Sequence, residues 1–600
     1  MRFGLLAALV ALPLALAPGL TLYYDVTPKI IVLVLVAASG LVLCPFPEAW
    51  RKIFSSPAGG LLIGAFCFEL VSLAISTAWS SHPALSVTGS HWRRFGLVTR
   101  VSLLLLLLLL VVEFSRTPRM RELVFRCSAI LAIVTTAIAL AQYFGLDPLQ
   151  QDRLSSVGQY NQAILRPPAT LGSSPGMANF LLIAALFSAG LARESASRAW
   201  RQVGWAGLAS GIVGLLLSGT RSAWLGLAAG AVVAWGASDV KMRRRYLTAA
   251  AGSLGAALIF AVSPAGLLVR NRIIQAAGDW RGGTRLMLWR DLFRLVQDHP
   301  WTGIGLDLFG REFGKIASES LARAFPHVYH ESPHNLLLDA LVGQGLPGLV
   351  FPALILVAVW KGWKETRDGV ALSALIASLV THQFFVLTAV TALYTFTAAA
   401  LLLRTPMTLA PAAKDKSLLF RCVIAAPLFL FAMQLGFAEY QAARVDDQLR
   451  IGAFAQARER FLVLERSQPP GYDAAMWYAK RLLGQGQALK QAESVAGEAL
   501  QTARRGAASA EEPQNAYYFI ALVEAGLGER RASEESLRKA VQWAPNWFLP
   551  HWGLSQMLLL DARFEEARVE ALRALQLNGG RNPQLEDTLS LIDQRLGRRR

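Results

Sequence analysis

The stretch GLVTRVSLLLLLLLLVV, residues 96–112, decides the fold class. One charge, Arg100, lies near its start, and eight consecutive leucines, Leu103–Leu110, follow. A run this long and this apolar reaches across the hydrocarbon core of a bilayer as a helix. In lipid the backbone must satisfy its own hydrogen bonds, and a helix does so within one segment.

Working outward from this run, comparable stretches lie near residues 3–20, 28–44, 59–79, 124–143, 177–192, 203–218, 222–237, 246–263, 335–359, 370–386, 388–404 and 418–438. The chain has 600 residues, 54% apolar and 17% charged, so a single soluble domain is excluded. The expected fold class is all-α: a polytopic membrane bundle of about twelve or thirteen spans. The connections test the count. With the N-terminus inside, the inner loops hold Arg51 and Lys52; Arg116, Arg119 and Arg121; Arg193, Arg198 and Arg201; Lys241 and Arg243 to Arg245; Lys361 and Lys364; and Lys414 and Lys416. Each predicted inner loop is basic, as the positive-inside rule requires. Alternatively, the first segment is a signal peptide, because Arg2 precedes an apolar run that ends in small residues near Ala15 and Ala17.

The formal net charge of +18 is unevenly placed. Residues 439–600 hold 22 Lys and Arg against 21 Asp and Glu, so the excess lies in the membrane part, 1–438. There it reads as topology signal at an anionic inner leaflet. No basic stripe with interleaved aromatics points to nucleic acid. Cys44, Cys67, Cys127 and Cys422 lie in or beside apolar runs without metal-type spacing.

From residue 439 the composition turns soluble and helical. Ala540 and Ala574 are 34 residues apart, as are Ser533 and Ala567, and Pro545 closes a unit. Small residues at this period predict a tetratricopeptide-like α-solenoid over 439–600, with a surface for a protein partner. The segment 506–514 reads as an insertion, and a generic helical bundle is the alternative. By the loop count this domain lies outside.

The candidate chemistry lies on the outer side, chiefly in the polar segment at about 264–334. Arg221, in LLLSGTRSAWLGL, occupies a very short turn between two spans, where a charge is costly unless it serves a site or snorkels to headgroups. Arg285 opens a helix in GGTRLMLWRDLFRLVQDHPWTGIG, with Thr284 as its expected cap, Pro300 as its stop and Gly303 and Gly305 as a flexible turn. The first helical turn favours an anion. His334, in PHNLLLDALVGQGLPG, sits where polar sequence becomes an apolar helix and is a candidate base. His327, His330 and His334 share a spacing that could hold a metal, but Pro326 and Pro333 interrupt the helix this would need. Arg93, Arg94 and Arg166, in other outer loops, could bind an anionic headgroup or simply sit at the interface.

Together these strings resemble the O-antigen ligase and polymerase superfamily of bacterial membrane glycosyltransferases. The resemblance rests on His334-Asn335 followed by Gly345-Leu346-Pro347-Gly348, on RLMLWRDLFRLVQDHPWTGIG, and on SGTRSAWLGL, across roughly residues 20–405. It implies inverting, metal-independent glycosyl transfer at the outer face of the inner membrane, with no cofactor. The donor would be a glycan on undecaprenyl pyrophosphate; a lipid, glycan or protein would accept it. Arg221 and Arg285 would hold phosphate, His334 would orient or deprotonate the acceptor, and Asn335 would join the substrate site. The 439–600 tail departs from the family's ligases and would suit a polymerase or a protein O-oligosaccharyltransferase, with the tail in the periplasm. Outside catalysis, the alternatives are a transporter of lipid-linked glycans and a membrane-anchored scaffold.

Overall fold

The computed structural model describes residues 2–44, 52–53, 55–146, 166–238, 283–405 and 417–598, with scattered positions between 243 and 274. Among the described residues every regular element is a helix. Six helices are long and apolar enough to cross a membrane: Pro57–Ala78, Leu97–Arg116, Arg119–Tyr143, Ser174–Glu194, Leu346–Thr366 and Leu418–Arg450. Gly4–Leu14, Thr27–Leu43, Gly369–Thr381 and Ala389–Leu403 are apolar but shorter. The expected spans at 203–218 and 222–237 are the helices Arg198–Ser218 and Arg221–Gly236. The one expected at 246–263 lies largely outside the described residues.

Packing explains why this sequence forms a bundle. Gly204, Gly207, Gly211 and Gly214 make a stripe on Arg198–Ser218, and all four are buried. A Cβ at Gly204 would stand 2.5 Å from the backbone nitrogen of Ala192. The stripe therefore lets the helix lie close against Ser174–Glu194, the small-residue packing that membrane helices favour. The first helix is equally committed to the bundle. Leu5, Leu9 and Leu12 are buried, and Tyr394 Oη donates to the Leu9 carbonyl at 2.9 Å.

Two expectations are corrected here. The apolar run 335–359 is not one helix. It forms Leu336–Gln344, a 3-10 turn at Leu346–Leu349, and Val350–Thr366. Gly345 breaks it with φ 70°, a value that disfavours a side chain. Gly303 and Gly305 are not a loose turn either. Ile304 N and Gly305 N donate to the carbonyls of Val342 and Gly343, and Leu346 N donates to that of Pro300. The two glycine-containing strings thus meet backbone to backbone. Gly303 must lack a Cβ, which would lie 2.3 Å from the Gly343 carbonyl.

Leu418–Arg450 runs 33 residues without a break across position 438. Its outward side chains Leu419, Phe420, Val423, Leu430 and Met433 are exposed, the face that lipid would cover. Beyond it lie eight further helices from Phe454–Ser467 to Pro583–Arg595. Ser533, Ala540, Ala567 and Ala574 are all buried among them.

These tail helices rest on the helices Phe309–Ile316 and Glu319–Ala324 of the polar segment. Arg311 donates to the carbonyls of Ala508 and Ala510, which gives the 506–514 segment a docking role. Asn546 Nδ2 reaches the Ala317 carbonyl at 2.8 Å, Arg573 pairs with Glu319 at 2.8 Å, and Arg581 donates to the Ala324 carbonyl at 2.9 Å.

Candidate active site

The helix Arg285–Asp298 begins at Arg285, and Trp289 lies one turn on, so the two side chains share a face. Trp289 Nε1 donates to the Pro333 carbonyl at 2.8 Å, which ties this helix to the residue preceding His334. Arg285 Nη2 donates to the Phe384 carbonyl at 3.2 Å, and its guanidinium lies 5.9 Å from the Phe384 ring. Thr284 occupies the N-cap position without making a capping bond.

His334 has φ 51°, in the left-handed region, and that strain is held by its neighbours. Ser332, fully buried, bonds to Nδ1 at 3.2 Å. Nε2 has no protein partner among the described residues; in the tautomer whose Nδ1–H donates to that hydroxyl, Nε2 carries the lone pair. Burial first, and the guanidinium of Arg285 second, push the imidazole down to about 4. The ring is therefore neutral at physiological pH, as a proton acceptor requires.

Asn335 has structural partners. Its Oδ1 accepts from Leu337 N and Leu338 N at 2.9 and 3.0 Å, capping Leu336–Gln344. Its Nδ2 donates to the Gln383 carbonyl at 3.1 Å, and Leu336 N donates to that of His382 at 2.8 Å. The segment His382–Phe384 thus touches both His334's neighbours and Arg285. It lies within the apolar run expected as a span at 370–386, where the polar pair His382-Gln383 is the available signal.

Arg221 starts the helix Arg221–Gly236 after a turn made by Gly219 in the left-handed conformation. It is half-buried and makes no hydrogen bond or ion pair among the described residues. Arg166 supports this turn: Nε donates to the Ser218 carbonyl at 2.8 Å and Nη2 to Thr220 Oγ1 at 3.1 Å. Arg285 and His334 are brought together by the Trp289–Pro333 bond, and the Arg221 side chain bonds to neither of them.

Arg93 and Arg94, expected to meet an anionic headgroup, are instead closed inside the protein. Arg93 pairs with Asp307 and, bidentately, with Asp339, which Arg100 also reaches at 3.2 Å. Arg94 pairs with Glu439 at 2.8 Å and lies 4.9 Å from the Tyr472 ring. Two or more protein acceptors take up each guanidinium, so neither presents a free fork to a ligand. Of the other two histidines, His327 packs edge-on against Phe548 and His330 against Phe313.

Beside the site lies an apolar cavity of about 260 Å³. Leu103, Leu337, Phe351, Leu379 and Phe396 line it, with Glu69, Arg100, Asp339, Gln344, Gln383 and Thr395 as its polar lining.

Residues 206–353, which include Arg221, Arg285 and His334, match the family described as O-antigen ligase. The chain is 25% identical over 303 residues to a general O-oligosaccharyltransferase of Acinetobacter baylyi, covering 46% of this chain and 50% of that protein. It is 27% identical over 161 residues to an O-antigen ligase of Pseudomonas aeruginosa, covering 27% of this chain and 35% of that one. The chain thus spans half or less of the length of these curated relatives.

Proposed function

We propose that this chain, which through its O-antigen ligase domain at residues 206–353 falls within the O-antigen ligase superfamily of membrane glycosyltransferases, transfers a glycan from undecaprenyl pyrophosphate to an acceptor hydroxyl. The reaction takes place at the outer face of a bacterial inner membrane. The bundle crosses twelve or thirteen times, with residues 439–600 as a periplasmic, tetratricopeptide-like domain.

The observation that carries this reading is the convergence of a fixed cation with a neutral imidazole, through the Trp289–Pro333 hydrogen bond. His334 Nε2 takes the proton of the acceptor hydroxyl as its oxygen attacks the anomeric carbon. The bond from that carbon to the pyrophosphate oxygen breaks, and configuration inverts in a single displacement. Arg285 holds the charge that develops on the leaving pyrophosphate, and Arg221 holds the carrier's other phosphate oxygens. Guanidinium suits both tasks, being permanently charged and able to bind two oxygens at once. The apolar cavity accommodates part of the prenyl tail, and the cations supply the charge stabilisation with no metal called upon. Arg166, Asn335, Arg93 and Arg94 serve as braces.

The test is transfer by the full chain in lipid nanodiscs, with a pyrophosphate-linked glycan as donor. His334→Ala and Arg285→Ala are each expected to abolish transfer at normal protein abundance. Retained transfer in both variants would overturn the assignment.

A further inference from the structure

Residues 89–96 form a loop with a closed neck. A Cβ at Gly89 would stand 2.5 Å from Gly96 N, so the two ends approach this closely only because a side chain is missing there. Asp307, buried, fills the loop from within. Ser90 N, Ser90 Oγ and Phe95 N donate to its Oδ2 at 2.8, 2.8 and 3.1 Å, and Arg93 Nε donates to its Oδ1. Four donors on one buried carboxylate make the loop a rigid body.

The loop has partners in both halves of the protein. The tail holds it through Glu511, which accepts from His91 N at 2.9 Å and bonds to the His91 ring. Thr88, one residue before the loop, donates to the Pro470 carbonyl. Gly471 lies against the helix Pro83–Thr88, where a Cβ would stand 2.5 Å from the Ala84 carbonyl oxygen. Towards the site, Arg93 Nη2 donates to Asp339 at 2.8 Å. Asp339 belongs to the first turn of Leu336–Gln344, the helix that Asn335 caps directly after His334. Direct contacts thus run from the tail, through the loop, to the helix that follows the proposed base.

We propose that Glu511 is a positioning residue for glycan transfer: by fixing the 89–96 loop from the tail, it holds Arg93 on Asp339 and so keeps His334 in register with Arg285. The tail then belongs to the catalytic apparatus and acts without touching substrate. Asp339 keeps Arg100 as a second partner at 3.2 Å. Loss of Glu511 therefore loosens the helix without releasing it, and the rate falls without vanishing. The proposal rests on the glycan-transfer reading above.

The test is a double-mutant cycle on the full chain in nanodiscs, with a pyrophosphate-linked glycan as donor. Glu511→Ala and Asp339→Asn should each lower kcat about tenfold and leave the donor KM unchanged. The double variant should fall no further than the more impaired single one, because both changes cut the same path. Glu511→Gln, which keeps an acceptor for His91 N, should recover most of the rate. Amide exchange at Leu336 to Leu338 should quicken in Glu511→Ala, while exchange in Ser174–Glu194 stays as in the parent chain. His91→Ala removes only the ring's share of the contact; it should show smaller changes of the same sign, and it carries the test if Glu511→Ala does not accumulate. Rate losses that multiply in the double variant overturn the proposal. So does unchanged exchange at Leu336 to Leu338 in Glu511→Ala. If the folded parent chain transfers no glycan, quickened exchange in Glu511→Ala upholds the link from tail to site and overturns the glycan-transfer reading instead.

Discussion

Trp289 and Pro333 are joined by a 2.8 Å hydrogen bond from indole Nε1 to a backbone carbonyl, one residue before the proposed base. This bond lets a helix that begins at Arg285 govern the position of His334. Trp289→Phe keeps the ring but removes the donor. Transfer is expected to fall about tenfold, the effect of roughly 1.4 kcal/mol on the barrier. The loss should appear in kcat with folding unchanged, measured as initial rates and thermal melting on the same preparation.

The pH dependence follows from the direction in which His334 is pushed. Burial and then Arg285 disfavour the charged ring and hold it at about 4. The base form therefore persists down to that pH, and activity should decline only as pH falls through about 4–5 rather than near 6.5. Arg285→Gln removes one of the cations that depress the ring. In that variant the acid limb of whatever activity remains should move to higher pH. A limb near pH 6.5 in the parent chain would contradict the assignment.

Arg285→Lys separates charge from shape. A lysine keeps the positive charge but loses the planar pair of donors. An activity loss of about 100-fold is expected, of the order seen when one charge-stabilising donor is removed. Steady-state rates at saturating donor measure it.

Arg166 acts through the turn that presents Arg221. Arg166→Ala removes the bonds to the Ser218 carbonyl and to Thr220. KM for the lipid-linked donor should rise several-fold, with the acceptor KM unchanged. Arg221→Ala should raise the same donor KM by more, because it removes the phosphate-binding group itself. A fall in protein abundance alone would assign Arg166 a folding role.

Arg94 and Glu439 form a fully buried pair between the membrane bundle and the tail. Glu439→Gln leaves an uncompensated guanidinium there, a change that costs about 3 kcal/mol or more. Thermal melting should drop, and protease should cut the tail earlier. Arg94→Met combined with Glu439→Gln should recover part of the loss.

Local patterns in the sequence foretold much of this arrangement. The leucine run at 96–112 is the core of Leu97–Arg116, and the four-residue spacing of Arg285 and Trp289 does place both on one helix face. Long-range partners were invisible. Arg93 is 214 residues from Asp307 and 246 from Asp339, and Arg94 is 345 from Glu439. A guanidinium in an outer loop looks the same from its neighbours whether it meets a ligand or a distant carboxylate. Apolarity also concealed the break at Gly345 and the link at His382–Phe384, because hydropathy averages over single residues that turn the chain. The 418–438 run gave a span, but a helix that leaves lipid and continues through protein changes composition without changing conformation.

That last helix has a geometric consequence. Its 33 residues are about 50 Å long, while the hydrocarbon core is about 30 Å thick. With its apolar first part in the core, the remainder would stand clear and set the tail's distance from the bilayer. It also fixes the tail's bearing, since each added residue swings everything beyond it by about 100° and raises it about 1.5 Å. A single-residue insertion near Phe437 would turn the tail away from Phe309–Ala324, whereas seven inserted residues would nearly restore the bearing but lift it by about 10 Å. The distance and heading of the tail relative to the bundle would thus be encoded in the length of one helix.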